Sequence, residues 1–276
     1  MERVDDQLIT ELARHEPRST LAIGAVLAAG HPRDARVVRY GGSLCVIVRR
    51  EPLVWLGYPR LADPRDAPGL ARAIEATPVV GLDGHPEDVD PLLEHMQRAG
   101  ETEHFVRVVT PAEQCGWAPS GSDTRLATIL DLDALEAVFA GYEVVFVSGK
   151  RARRAYLRRC IQQRGAVVHD GERGVDAAVL TSGPTPNFMI LEHLRVLPEA
   201  RGQGISWMLV SRVVEMAQAY GVGLLGSVVE GNPMSIPQDQ GWLEQQTSVN
   251  LRLPDRFPGE RRFRRTAHRL ARRRRR

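Results

Sequence analysis

The sequence predicts an α+β chain of two mixed-sheet domains, each a central β-sheet flanked by helices. Three observations carry that prediction. Short runs rich in valine and isoleucine recur in both halves, amphipathic helical patterns lie between them, and a stretch dense in Pro, Gly and Ser, Pro111 to Ser122, separates the halves. At 276 residues the chain is long enough for each half to bury a core of its own. The division read from this pattern is a partner domain over 1–122, a second domain over 123–255 and an arginine-rich tail over 256–276.

In the first half, Ala35 to Tyr40, Ser43 to Val48 and Pro52 to Leu56 read as strands, parted by Gly41-Gly42 and Glu51. A helix follows near Asp66 to Ala76, then a strand at Pro78 to Leu82, a helix from Pro86 to Arg98 and a strand from Glu103 to Val109. The second half opens with a strand at Arg125 to Ile129. Asp131 stands at an N-cap position before the periodic Leu132, Leu135, Val138 and Phe139. A basic helix covers Arg151 to Gln163, with Leu157, Cys160 and Ile161 as its apolar stripe. Strands are expected at Ala166 to His169, Val175 to Thr181 and Phe188 to Leu197. The helix Ile205 to Tyr220 ends at Gly221, Leu224 to Val229 is a buried strand, and Gly241 to Leu253 is the last one.

Several function classes fall away on composition. No run approaches the roughly 20 apolar residues of a membrane helix, and the first residues, Met1 to Asp6, are too acidic for a signal peptide. Cys45, Cys115 and Cys160 are sparse, odd in number and far apart. That argues against a disulfide framework or a cysteine zinc site, and the expected compartment is a reducing, cytoplasmic one, with no metal in the site. The formal charge of +3 divides unevenly: Arg256 to Arg276 holds 11 arginines and one acid, so the remainder of the chain is net negative. Such a tail is too charged to bury. It reads either as a contact for tRNA or another nucleic acid through counterion release, or as a solubilising extension.

Chemistry concentrates in Leu191 to Leu209. A strand ends at Pro198, and a turn containing Gly202 and Gly204 opens directly into a helix. Glycine lets the backbone approach a ligand closely, the first-turn N–H groups lack intrahelical partners, and the helix dipole is positive there. With Arg201 as a charge-assisted donor, the junction is an anion site by construction.

The segment resembles the CoA-binding signature of the GNAT superfamily of N-acyltransferases: Val196-Leu197-Pro198, then Arg201-Gly202-Gln203-Gly204-Ile205-Ser206, with serine at the final small position. The order of elements over Arg125 to Leu253 is also similar, and the first half reads as a degenerate GNAT-like domain or another α+β partner domain. In it, Gly57 to Pro64 lacks the signature. The resemblance implies acetyl-CoA or another acyl-CoA as donor, held by Leu194, Arg195 and Val196, by Arg201, Gly202, Gln203, Gly204, Ile205 and Ser206, and by Asn232. It also implies direct transfer of the acyl group to an amine. By strict alternation Ile190, Glu192, Leu194 and Val196 share one strand face, and Leu191, His193 and Arg195 share the other. Glu192 is then the better-placed base, with His193 as the alternative.

Relatives place a tyrosine four residues before a G-[F/Y] pair as general acid; here Pro237 stands in its place before Gly241-Trp242, and Ser235 is the substitute. Arg151, Arg153, Arg154, Arg158 and Arg159 read either as a solvated face or as a surface for an acidic acceptor. The expected activity is acyl transfer to a small-molecule or amino-acid-like amine. A GNAT-fold transferase taking aminoacyl groups from charged tRNA and a non-catalytic acyl-CoA- or RNA-binding protein are the alternatives.

Overall fold

The computed structural model describes residues 2–16, 18–27, 29, 32–51, 54–97, 101–110, 121, 123–140, 150–229 and 244–252. These fall into two compact units. One holds the described residues up to Val106 together with the C-terminal strand from Gln246; the other holds those from Arg107 to Val228. The expected linker, 111–122, lies outside the described residues apart from Gly121, as does the tail, 256–276.

In the first unit, β1 (Glu2–Arg3), β2 (Ala35–Tyr40), β3 (Ser43–Glu51) and β4 (Val54–Arg60) pair antiparallel in that order. The helix α3 (Ala67–Glu75) crosses over to β5 (Val79–Gly84), which runs parallel to β4. Alternation along β3 feeds two cores. Leu44, Val46 and Val48 pack under α1 (Asp6–Ala13) and α2 (Thr20–Leu27) with Leu8, Leu12 and Ile23. Cys45 and Ile47 face α3 and α4 (Pro86–Leu93) with Leu70, Ile74, Val89 and Leu92. Helix α1 begins where the Asp5 carboxylate accepts from the N–H of Leu8 at 2.9 Å, an N-cap that the sequence reading passed over.

The last strand, β12 (Glu244–Arg252), corrects the expected domain plan. It pairs antiparallel with β5, from Val249 opposite Gly84 to Arg252 opposite Gly81, and so extends the sheet of the first unit. The strand β6 (Glu101–Thr110) carries the chain across the boundary at Val106/Arg107. A strand's local pattern says that it will pair, not with which sheet, and 244–252 follows the second unit in sequence while pairing in the first.

The second unit repeats the same order. β7 (Thr124–Leu126) is followed by α5 (Leu132–Val138) and α6 (Lys150–Gln162), then by the antiparallel strands β8 (Ala166–Gly171), β9 (Gly174–Ser182) and β10 (Phe188–Val196). The helix α7 (Ile205–Tyr220) crosses to β11 (Gly223–Val229), parallel to β10. One face of the sheet, with Ala166, Val168, Ala178 and Leu180, packs under α5 and α6 through Leu135, Phe139, Leu157 and Cys160. The opposite face, with the buried Val167, Ala177 and Val179, lies under α7, whose Leu209, Val213 and Ala217 are buried. Among the described residues no helix is long and apolar enough to cross a membrane.

The start of α5 is tied by charge. Arg125 on β7 donates to Asp131 at 2.8 and 2.9 Å and to Asp170 on β8 at 2.5 and 2.8 Å. The guanidinium, with smaller help from the Thr128 N–H and hydroxyl, holds the Asp131 carboxyl down at about 2, below its ordinary 3.8. A carboxylate depressed in this way stabilises the fold fully above its unfolded value. That contribution is lost as pH falls from about 4 to about 2. We expect Arg125→Met to destabilise by about 1 kcal/mol near neutrality, a modest figure because the pair is partly solvated. Thermal melts at stepped pH should show the deficit shrinking through that acid window. A deficit independent of pH would remove Asp131 from the account.

Candidate active site

The segment Leu191 to Leu209 folds as strand, turn and helix. After β10, Pro198–Ala200 forms one 3-10 turn, and the Leu197 N–H is held by the Asp176 carbonyl at 2.9 Å. The chain then passes through Gly202 at φ +79° and Gly204 at φ +76°, the left-handed region that side chains resist. Gly204 is the N-cap of α7, and no side chain caps the helix. Its carbonyl takes the N–H groups of Trp207 and Met208 at 2.9 and 3.3 Å, so Ile205 and Ser206 form the open end of a 16-residue helix. Arg201, Gly202, Gln203 and Gly204 are all exposed. A Cβ placed on Gly202 or Gly204 would meet nothing within 4 Å, so the space over the turn is clear. Arg201 Nε donates to the Val196 carbonyl at 3.3 Å, which anchors its guanidinium beside the turn. Two left-handed glycines, an uncapped helix end and a positioned guanidinium suit a diphosphate.

The facing strand departs from simple alternation. β10 pairs with β9 as Leu191 opposite Thr181, then His193 opposite Leu180, so Glu192 is the extra residue of a β-bulge. Because Leu180 and Ala178 belong to the core under α5 and α6, His193 and Arg195 opposite them face that way. Glu192 turns to the same side, as its bond to α6 shows. Leu194 and Val196, opposite Val179 and Ala177, face α7. This corrects the strict period-two reading, which grouped Glu192 with Leu194 and Val196 and set His193 on the other face. The two candidate bases are neighbours: His193 Nε2 lies 3.9 Å from Glu192 Oε2, and their side chains are 21% and 12% exposed.

Their partner on α6 is Tyr156, a residue the sequence reading missed. Its hydroxyl donates to Glu192 Oε2 at 2.5 Å, its ring meets the His193 ring edge-on at 6.3 Å, and Arg159 lies over it at 5.7 Å. The signal lay in its position, one residue before Leu157 of the apolar stripe and so turned partly toward the sheet. The arginines of this helix separate by use. Arg154 binds Asp133 and Glu136, and Arg153 donates to the Phe139 carbonyl at 3.3 Å, so both brace α5. Ser235 and Asn232 lie outside the described residues.

The architecture has clear relatives among solved structures. No protein-family model matches the sequence, and no curated protein sequence does. A GCN5-related N-acetyltransferase from Kribbella flavida is similar over 88% of this chain and 96% of its own, with a TM-score of 0.63 at 15% identity. A Drosophila protein is similar over 92% and 98%, with a TM-score of 0.67 at 14% identity. A tandem GNAT protein from the clavulanic acid biosynthesis pathway covers the same shares, with a TM-score of 0.54 at 12% identity. The fold is that of the GCN5-related N-acetyltransferases. It is present twice, since the coverage of whole chains agrees with the repeated order of elements.

The two GNAT-like units differ in the turn between the crossover strand and its helix. In the first, the residues between β4 and α3 supply their own anions. The Asp63 carboxylate accepts from the Arg65 N–H at 2.9 Å and pairs with its side chain, and Arg65 holds that carboxyl down at about 2. Asp66 accepts from the Gly42 N–H at 3.2 Å and the Ser43 hydroxyl at 2.8 Å. Pro64 contributes no N–H at all. Asp63, Pro64 and Asp66 thus occupy this turn, and it holds no glycine signature.

Proposed function

We propose that the chain is an acyl-CoA-dependent N-acyltransferase, with acetyl-CoA or another acyl-CoA as donor and the amine of a small or amino-acid-like molecule as acceptor. The observation that carries this reading is the pairing of the open Gly202–Gly204 turn with a strand whose bulge presents Glu192 and His193. The donor supplies the thioester carbonyl. Arg201, Gly202, Gln203, Gly204, Ile205 and Ser206 hold its diphosphate by backbone N–H groups and one guanidinium, and main-chain groups of Leu194, Arg195 and Val196 align the arm. Glu192, directly or through water, takes the proton that the amine gives up as its C–N bond forms. The C–S bond breaks and the thiolate is protonated by Ser235 or by water. Arg195 and Arg159 on the Glu192 side favour an acceptor that carries a negative group beside its amine.

Calorimetric titration of acetyl-CoA, followed by a thiol-release screen over amines, tests the reading. We expect micromolar donor binding and turnover that Glu192→Gln lowers by about 100-fold or more, the usual yield of a general base, with donor affinity unchanged. Equal turnover in Glu192→Gln would take the carboxylate out of the chemistry. Arg153 and Arg154 are occupied within the unit, so on α6 a charged-tRNA donor would rely on the exposed Arg151 and Arg158.

A further inference from the structure

The bulge that turns Glu192 toward α6 also takes it out of the regular ladder, and a glutamate carries considerable rotamer freedom. A base has to be held if its lone pair is to meet a proton at hydrogen-bond distance. The Tyr156 hydroxyl contributes to that hold: it donates to Glu192 Oε2 at 2.5 Å from the opposing helix. The carboxylate is 12% exposed, so little water competes for the bond. Arg159 over the phenol face at 5.7 Å draws on the ring's electron density and sharpens the O–H as a donor. His193 lies 3.9 Å from the same oxygen, which crowds Oε2 with two partners.

We propose that Tyr156 is a positioning residue of the reaction, holding Oε2 of Glu192 so that the carboxylate is oriented to receive the acceptor's proton. This rests on the reading of Glu192 as base. As a positioning residue Tyr156 changes nothing in the atom balance; the proton still passes from the amine nitrogen to Glu192.

The experiment uses the full chain labelled with ¹³C at the tyrosine ζ carbon. The chain has five tyrosines, and the resonance lost in Tyr156→Phe is that of Tyr156. Its titration midpoint should fall by about half a unit or more in Glu192→Gln, because a neighbouring carboxylate opposes phenolate formation. An unmoved midpoint overturns the clamp. With acetyl-CoA and an accepted amine, Tyr156→Phe should lower kcat by about 10- to 100-fold at constant KM for acetyl-CoA. The acidic limb of its pH profile should move upward, since a carboxylate without its donor takes up protons more readily. A shifted midpoint with unchanged kcat and pH profile makes the bond a structural tie between helix and strand, and also overturns the proposal. If no amine is acylated by the unaltered protein, the acyltransferase reading falls, while the resonance still decides the clamp. Should Tyr156→Phe not fold, the response of the tyrosine spectrum to Glu192→Gln decides it alone.

Discussion

Gly204→Glu is expected to abolish acetyl-CoA binding, a loss of at least about 100-fold, while the chain stays folded. Steric crowding is not the reason, because a Cβ at this position meets nothing within 4 Å. The backbone term is limited: φ of +76° costs a side chain about 1–2 kcal/mol. In a chain of this size that lowers Tm by roughly 2–8 °C. The electrostatic term dominates, since the new carboxylate stands at the open end of α7, where a diphosphate would need positive potential. Gly204→Ala separates the two, because it carries the same backbone strain and no charge. It should keep most of the affinity. Calorimetry on both variants, with melting curves alongside, makes the comparison. Full affinity in Gly204→Glu would mean that the donor does not use this turn.

The largest stability effect is expected at Asp88, remote from the diphosphate turn in sequence. Its carboxylate is 1% exposed and takes three bonds at 2.6 Å: Arg18 Nε, Arg18 Nη2 and the N–H of Leu61. Asp88→Ala leaves Arg18 with its bond to Glu87 at 2.9 Å, removes its two bonds to Asp88 and strands a buried N–H. The cost is about 3 kcal/mol, at the low end for a broken buried pair because Arg18 is 31% exposed. The Tm should fall by roughly 6–12 °C. Asp88→Asn keeps an acceptor for Leu61 and should fall between. Scanning calorimetry reads all three proteins, and a drop of less than about 2 °C for Asp88→Ala would show that water replaces the network.

Helix α7 and the strands beside it could be read from sequence because their signals are local. Gly202, Gly204 and Gly221 mark the two ends of an apolar-periodic segment, and all three are left-handed in the structure. Helix α2 could not be read in the same way. Its residues, Thr20 to Leu27, are apolar on nearly every side, so it shows no stripe and looks only like a greasy run. The bulge at Glu192 was hidden for another reason. Alternation is a property of an unbroken ladder, and one extra residue reverses the assignment of every residue before it relative to those after. Tyr156 was hidden because its significance depends on a partner 36 positions away.

The pairing of β12 with β5 sets an order of assembly. During synthesis the first unit emerges with β5 lacking the neighbour that will cover Gly81 to Gly84. That edge waits until Arg252 has been made, so the unit that begins the chain is the last to be finished. The wait exposes an unpaired strand to any passing extended segment, the usual opening for misassembly. It also makes β12 a tether: cleavage between β11 and β12 would free the strand that covers Gly81 to Gly84.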